Sequence, residues 1–445
     1  MNPTISETKP GTVSLEQSQT FDDSLARQKG LPSWWVEKKR EAWTNFQELP
    51  MPARKNEQWR FASINSISLD GFQLPETPSD EVVAEILKRS NELSETSGKM
   101  VFADDSLVEF QGVSEELAAK GVIWKPLARA LVEHEDLFKK HFMAQPVKLG
   151  SEKFSALHGA LCATGLFLYV PKGVEIDLPF VAHHWVTSDG TAIFPHTLLV
   201  AEDNSKVTLV DFFDSRLPEG RNFISGVNDV YAGAGARVNY VGTQDWGRNT
   251  TSFQLNSTQS ARDAFVTTLN LNLGGKFSRS EMHGQALGEG SHTQMLSLTV
   301  AQDKQEFDQR TLQTHLAPNT VSDLLYKNAL LDQARTIFSG LIRVEEEAQK
   351  TDAYQTNRNL LLSPEADSNS LPGLEIRAND VKCSHGATTG QIEQDQLYYL
   401  LARGIPEKTA KQLLIFGFFD EVLEKFDNEP IAEKLREKVR AKFTG

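Results

Sequence analysis

The chain has 445 residues, with 46 Lys plus Arg against 60 Asp plus Glu, a net charge of −14 and 39% hydrophobic residues. That is the composition of a soluble globular protein of about two or three domains. Its apolar runs, such as Leu166–Val170 and Leu413–Phe416, fall far short of the ~18 residues of a membrane span, and an acidic chain without long Lys/Arg runs repels nucleic acid.

Residues 1–30 carry Ser, Thr, Gln and Pro with few large apolar groups and are expected to form a mobile tail. This stretch has no apolar signal core and holds Glu7, Glu16, Asp22 and Asp23, so the expected location is the cytoplasm. From Pro32, Trp34, Trp35, Trp43 and Phe46 recur at helical spacing until Pro50 and Pro52 stop them. A second helical pattern runs over 80–93, opened by Ser79 as N-cap. Residues 31–99 thus read as a helical region and 100–165 as a mixed connecting segment.

From 166 to 388 short runs rich in Val, Leu, Phe and Thr alternate with turns, and helical periodicity is nearly absent. The expected strands include Leu166–Val170, Val207–Phe212, Val238–Val241, Phe265–Leu271, Met295–Val300, Leu324–Leu331 and Ile337–Val344. Turn residues Gly173, Asn204, Gly235, Asp263, Gly290, Asn319 and Ala348 follow one another at 31, 31, 28, 27, 29 and 29 residues, a repeat signature. Each unit has room for two strands and two turns, which favours a β-solenoid over a large antiparallel sandwich. Val207, Leu209, Val238, Tyr240, Val266 and Leu269 would then line one continuous interior. Helical spacing returns over 389–445: Ile392, Leu397 and Leu401 run to Gly404, a second helix follows Pro406, and a third starts near Pro430 with a basic face. Phe416, Phe418 and Phe419 read either as local core or as an exposed patch for a partner.

The chemistry is mostly excluded. No GxxxxGK[ST], HExxH or GxSxG is present, so the chain has no phosphate loop, zincin site or esterase elbow. Cys162 and Cys383 permit no disulfide framework and no four-cysteine metal site. Cys162 sits in an apolar run and reads as packing. His183-His184 would point to opposite faces of a strand, and a turn or edge position is expected for the pair. The segment that stands out is Asp380–Gly390, where Cys383 and His385 are two apart and, on an extended backbone, share a face. Thiolate and imidazole suit iron, copper or zinc, although two donors do not complete a site and a structural Cys beside a capping His fits the composition equally.

At these residues the chain becomes recognisable. Leu371-Pro372, Leu374-Glu375-Ile376, Asp380–Thr388, Gln396-Leu397-Tyr398-Tyr399-Leu400 and Arg403-Gly404-Ile405, together with Glu57-Gln58-Trp59-Arg60-Phe61 near the N-terminus, closely resemble the SufD branch of the SufB/SufD family, core subunits of the SUF iron–sulfur cluster assembly machinery. The resemblance runs from about residue 30 to the end.

It implies a right-handed parallel β-helix (a β-solenoid, mainly β) between N- and C-terminal α-helical regions. It also implies a non-enzymatic scaffold that pairs with a SufB-like subunit through the β-helix and with a SufC-like ABC ATPase through the C-terminal helices. The transient iron–sulfur cluster would form at the SufB–SufD interface, with His385 among its candidate ligands and Cys383 nearby. Leu397, Tyr398, Arg403, Leu413, Leu414, Phe416, Phe418 and Phe419 are the candidate ATPase contacts. Where SufB carries a cluster-building cysteine on the strand before the motif, Ser363–Asp367 has none, so this chain is not expected to be the main sulfur acceptor. Whether the isolated chain forms a homodimer, and whether a reduced flavin joins the complex, stay open. The alternative is a polysaccharide-acting enzyme on the same solenoid, for which Asp303, Asp308 and Arg310 are the nearest acid and base candidates.

Overall fold

The computed structural model describes residues 14–444 apart from 29, 92, 94 and 427. Parallel strands stack into two long sheets facing each other across a narrow lumen. In stacking order the first sheet is β2 (Ser106–Gln111), β1 (Gly98–Ala103), β5 (Phe180–Val186), β8 (Lys206–Ser215), β10 (Arg237–Asp245), β12 (Phe265–Asn272), β14 (His292–Ala301), β16 (Val321–Leu330), β18 (Asp352–Leu361) and β20 (Lys382–Gln391). The second is β3 (Ile123–Pro126), β4 (Thr164–Val170), β7 (Pro195–Ala201), β9 (Phe223–Ala232), β11 (Thr251–Ser260), β13 (Phe277–Ala286), β15 (Glu306–His315), β17 (Arg335–Val344) and β19 (Asp367–Ile376), with the short β6 (Ala192–Ile193) beside β9. This is the β-solenoid expected from the repeat. At its start β2 pairs antiparallel with β1 and β3 with β4.

The corners explain the period. Gly173, Asn204, Gly235, Asp263, Gly290 and Asn319 all adopt φ between 55° and 72°, the left-handed region open to Gly and tolerated by Asn and Asp. Successive corners hydrogen-bond to one another, as in Asn204 N–H to Ala234 O at 2.8 Å and Gly235 N–H to Arg262 O at 2.8 Å. In the seventh coil Lys350, at 59°, takes the place expected for Ala348.

Helices cover the two outer faces. On the second sheet lie α2 (Ser33–Glu48) and α7 (Glu152–Leu161), with α1 (Ser18–Arg27) beside them. Phe154 stacks on Phe253 at 3.7 Å, and the buried Lys39 ammonium donates to Cys162 O at 2.6 Å. Helices α3 (Asp80–Arg89), capped by Ser79, and α4 (Glu115–Ala119), α5 (Leu127–Glu133) and α6 (Glu135–His141) surround the first coils. The tail departs from expectation. Residues 1–13 lie outside the described residues, but α1 is folded because Leu15 and Phe21 find buried sites, Phe21 stacking on Trp43 at 4.9 Å. On the first sheet, α8 (Gln394–Ala402), α9 (Glu407–Lys425) and α10 (Glu429–Thr444) bury Ile415, Phe419, Val422, Leu435 and Val439 against Phe212, Val241, Leu269, Leu298 and Leu325.

Two sequence expectations change here. Val207, Leu209, Val238, Tyr240 and Val266 do line the lumen, whereas Leu269 faces the C-terminal helices: it is three positions after Val266, and an odd step inverts the face. His183-His184 sits in β5, between β1 and β8, and not at a turn or edge. Its rings do point oppositely, His183 stacking on Phe212 at 4.7 Å and His184 on Phe102 at 5.1 Å and Phe213 at 4.9 Å.

The N-terminal motif is clamped to the solenoid by one guanidinium. Arg279 of β13, 1% exposed, lies 3.8 Å over the Trp59 ring. It donates to Gln58 O at 3.0 Å, Leu149 O at 2.6 Å, Ser151 Oγ at 3.1 Å and Glu281 Oε1 at 2.9 Å, and pairs with Asp308. Trp59 Nε1 donates to Gly150 O at 2.8 Å. Gly150, at φ 112°, has no room for a side chain, since a Cβ would fall 2.7 Å from Gln58 Cβ. Burial opposes the Arg279 charge, and Asp308 and Glu281 more than offset it. Arg279→Ala breaks two buried ion pairs at once, leaving Asp308 with Arg310 alone and Glu281 with the Ser151 hydroxyl alone, and should cost about 3–5 kcal/mol. A fall of that size in the denaturant-unfolding free energy of the full chain is expected, and a change under 1 kcal/mol would contradict the clamp.

Candidate functional site

Strand β20 closes one sheet and β19 the other, and among the described residues each pairs on one side only, with β18 and with β17. β20 is largely exposed along its length and β19 is mostly half-buried, and the C-terminal end of the solenoid presents two open backbone edges. The sequence accounts for part of this. Pro372 lies in β19, a residue that a sheet tolerates at its edge, and β20 carries Gly386 and Gly390 in place of side chains that would need cover.

Cys383 and His385 sit on β20 beside Ala353 and Gln355 of β18. Cys383 packs against a small cluster with Val344, Ala353 and Ala378, which marks its face as the lumen side. His385 shares that face by the two-residue period and is exposed at the rim. The expected juxtaposition of thiol and imidazole on one strand face is therefore present. Burial, then the neighbouring Asp352, pushes the Cys383 thiol above its usual range. Among the described residues no group of three or more His, Cys, Asp or Glu side chains is arranged to hold a metal ion. Cys162 is elsewhere, fully buried beneath α2, its thiol pushed up to about 12 by burial.

The other candidates separate by exposure. Tyr398 is 73% exposed and Leu413 47%, and Arg403 is exposed with its guanidinium 4.9 Å from the Tyr399 ring. Sequence reasoning missed Tyr399 and Leu401 in this patch, although both are exposed beside Tyr398. Leu397 and Phe419 are buried, and Leu414, Phe416 and Phe418 are half-buried against the sheet-facing core. The three phenylalanines are thus core or core-edge residues, not a free patch. Helix α9 is fixed there by Lys327, which donates to Phe418 O at 2.6 Å and pairs with Glu421 at 2.6 Å.

Ser363–Ala366 forms the turn between β18 and β19 rather than part of a strand. Asp308 and Arg310 are 0% and 4% exposed and joined at 2.6 Å within the Arg279 clamp, while Asp303 lies on an exposed corner at φ 56°. They form no common surface cluster. No described helix is long and apolar enough to cross a membrane.

The family description "SUF system FeS cluster assembly, SufBD core domain" matches residues 184–418, and "SufBD protein N-terminal region" matches residues 25–181. The chain is 30% identical, over 95% of its length and 97% of the relative's, to the iron–sulfur cluster assembly protein SufD of Bacillus subtilis (strain 168). It is 25% identical over 93% of its length to SufB of the same organism, of which 90% is covered. It is 27% identical over 93% to an iron–sulfur cluster assembly SufBD family protein of Staphylococcus haemolyticus (strain JCSC1435), again with 90% covered.

Two measurements check the site geometry. With a thiol reagent at pH 8, native protein should lose one thiol, Cys383, and release the second, Cys162, only on unfolding; rapid labelling of both would contradict the burial. His385→Ala should cost no more than about 1 kcal/mol, as for an exposed side chain that gives up one hydrogen bond at most, read as a nearly unchanged unfolding midpoint.

Proposed function

The chain belongs to the SufB/SufD family of iron–sulfur cluster assembly proteins, and from that premise we propose that it is a non-catalytic scaffold subunit holding one half of a cluster-assembly interface. The partner is a SufB-like subunit, which joins the β19 and β20 edges by strand addition. Iron and sulfide are the cargo assembled there, with His385 as a ligand, Cys383 beside it, and the partner supplying the remaining donors. A SufC-like ABC ATPase docks on the C-terminal helices, with Tyr398, Tyr399, Leu401, Arg403 and Leu413 as its contacts. ATP-driven movement of that subunit opens and closes the interface, in the cytoplasm.

The observation that carries this reading is the coincidence, at one end of the solenoid, of two unpaired sheet edges and an incomplete Cys–His donor set. Unpaired edges are a liability that proteins ordinarily blunt or cover, and two donors are useful to a metal only if a second surface arrives with more. The missing phosphate loop fits an ATPase supplied in trans.

The test is anaerobic co-purification with SufB-like and SufC-like partners, followed by visible absorption after adding ferrous iron and sulfide. A ternary complex is expected, with cluster absorption that falls several-fold for His385→Ala. Tyr398→Ala combined with Leu413→Ala should lose the ATPase subunit and keep the SufB-like one. A stable complex with undiminished absorption in His385→Ala would move the ligands wholly to the partner.

A further inference from the structure

The inward row of β20, Cys383, His385, Ala387 and Thr389, lies in register with Ala353, Gln355, Asn357 and Asn359 of β18. One side of this opening is a closed polar network. Asn359 Nδ2 donates to Asn357 Oδ1 at 2.9 Å and to Ser370 Oγ at 3.2 Å, Ser370 Oγ donates to Asn357 Oδ1 at 2.8 Å, and Ser368 bonds Thr389 at 2.9 Å.

The side beneath His385 is not closed. Gln355 and Asn357 are 1% and 0% exposed, yet Gln355 Oε1 and Asn357 Nδ2 have no hydrogen-bond partner. Both orientations are set by neighbours. Asn357 Oδ1 already receives two donors, which leaves its N–H₂ unused. Gln355 Nε2 donates to Gly340 O at 3.3 Å across the lumen, which leaves Oε1 as the unused acceptor. Gly340 makes room for this amide, since a Cβ there would fall 2.4 Å from Oε1. A buried polar atom without a partner costs about 1–3 kcal/mol, and here an acceptor and a donor carry that cost side by side. His385 stands next to Gln355, and the small Ala387 stands next to Asn357. In-register side chains on neighbouring strands are about 5 Å apart, a spacing an amide and an imidazole can bridge.

We propose that Gln355 and Asn357 are positioning residues for the His385 site: the Gln355 amide oxygen accepts the imidazole N–H of His385, and the Asn357 amide donates to a sulfide or thiolate held at the lumen mouth. This rests on the reading of His385 as an iron ligand. An acceptor on one ring nitrogen fixes the tautomer and turns the other lone pair toward the metal, and hydrogen bonds to sulfur stabilise its negative charge in iron–sulfur centres.

The test uses the full chain labelled with ¹⁵N-histidine, with the His385 ring signals identified by their loss in His385→Gln. In the wild type one ring tautomer should dominate. Gln355→Met should redistribute the two ring nitrogens, and Gly340→Ala, which displaces the Gln355 amide without altering it, should do the same. Identical ring signals in all three proteins would overturn the Gln355 contact. In the reconstituted complex, Gln355→Met and Asn357→Leu should each weaken iron retention against a ferrous chelator by about 10–100-fold, the usual effect of removing an outer-shell partner. Loss of retention in His385→Ala but in neither of these would overturn the inference and leave the proposed function standing. Full retention in His385→Ala would remove the ligand reading itself, and this inference with it.

Discussion

Arg279 joins parts of the chain that are far apart in sequence: the turn at Gln58-Trp59, the segment Leu149–Ser151 that leads into α7, and the carboxylates of Glu281 and Asp308 on adjacent strands. The guanidinium is fully buried, so each of its hydrogen bonds replaces one to water, and losing any partner leaves a charge or carbonyl stranded. Trp59 adds its ring face beneath the cation and its N–H to Gly150. A Lys could not present the same planar fork of donors. The N-terminal helical region is therefore registered on the solenoid by directed polar contacts, with the aromatic packing of Phe154 on Phe253 filling the space around them.

With that region fixed on one outer face and α9 and α10 on the other, the solenoid consists of three layers: two apolar sheet–helix contacts and a lumen that is apolar in the first coils and carries a polar network beyond them. This explains which strands are legible in the sequence. Strands of the first sheet are buried on both faces and read as near-continuous apolar runs, as at Val207–Phe212 and Met295–Val300. Of the second sheet only β4 and β17 stood out. β15, Glu306–His315, is buried at every position but holds Asp308 and Arg310 in the Arg279 clamp, Glu306 against Ser63 and Gln309 in the lumen network. Its residues look like those of a loop because their partners are distant in sequence, and no local pattern records a contact between Arg279 and Asp308.

The corners are the opposite case. A left-handed turn is a local demand that only a few residues meet, so its recurrence at Gly173, Asn204, Gly235, Asp263, Gly290 and Asn319 announced the coil length directly. Facing was less secure, since one odd step placed Leu269 against the helices instead of in the lumen. The candidate site was legible to the same depth. Cys383 and His385 declared a shared face through their spacing, while Gln355 and Asn357 became visible only once the strand register set them beside β20. Phe416, Phe418 and Phe419 could not be sorted into surface and core from sequence, because that depends on which face of α9 meets the sheet.

The distribution of cover also explains why one end of the molecule differs from the rest. The first coils are closed by the antiparallel strands β2 and β3, and both outer faces carry the chain's own helices. At the other end the last coil has no such closure: β20 is exposed and β19 half-buried, the lumen network stops at Ser368, Ser370 and Thr389, and one atom of each of two buried amides, Gln355 Oε1 and Asn357 Nδ2, is left without a partner. Each of these features costs free energy in the isolated chain, through open edges and unmatched polar atoms. All of them would be relieved together by a surface that adds strands to both edges and brings donors to the lumen mouth. A structural cap would relieve only the edges. Strand addition alone leaves the unmatched Gln355 and Asn357 atoms beside His385 unrelieved, so the lumen mouth poses a demand separate from that of the edges.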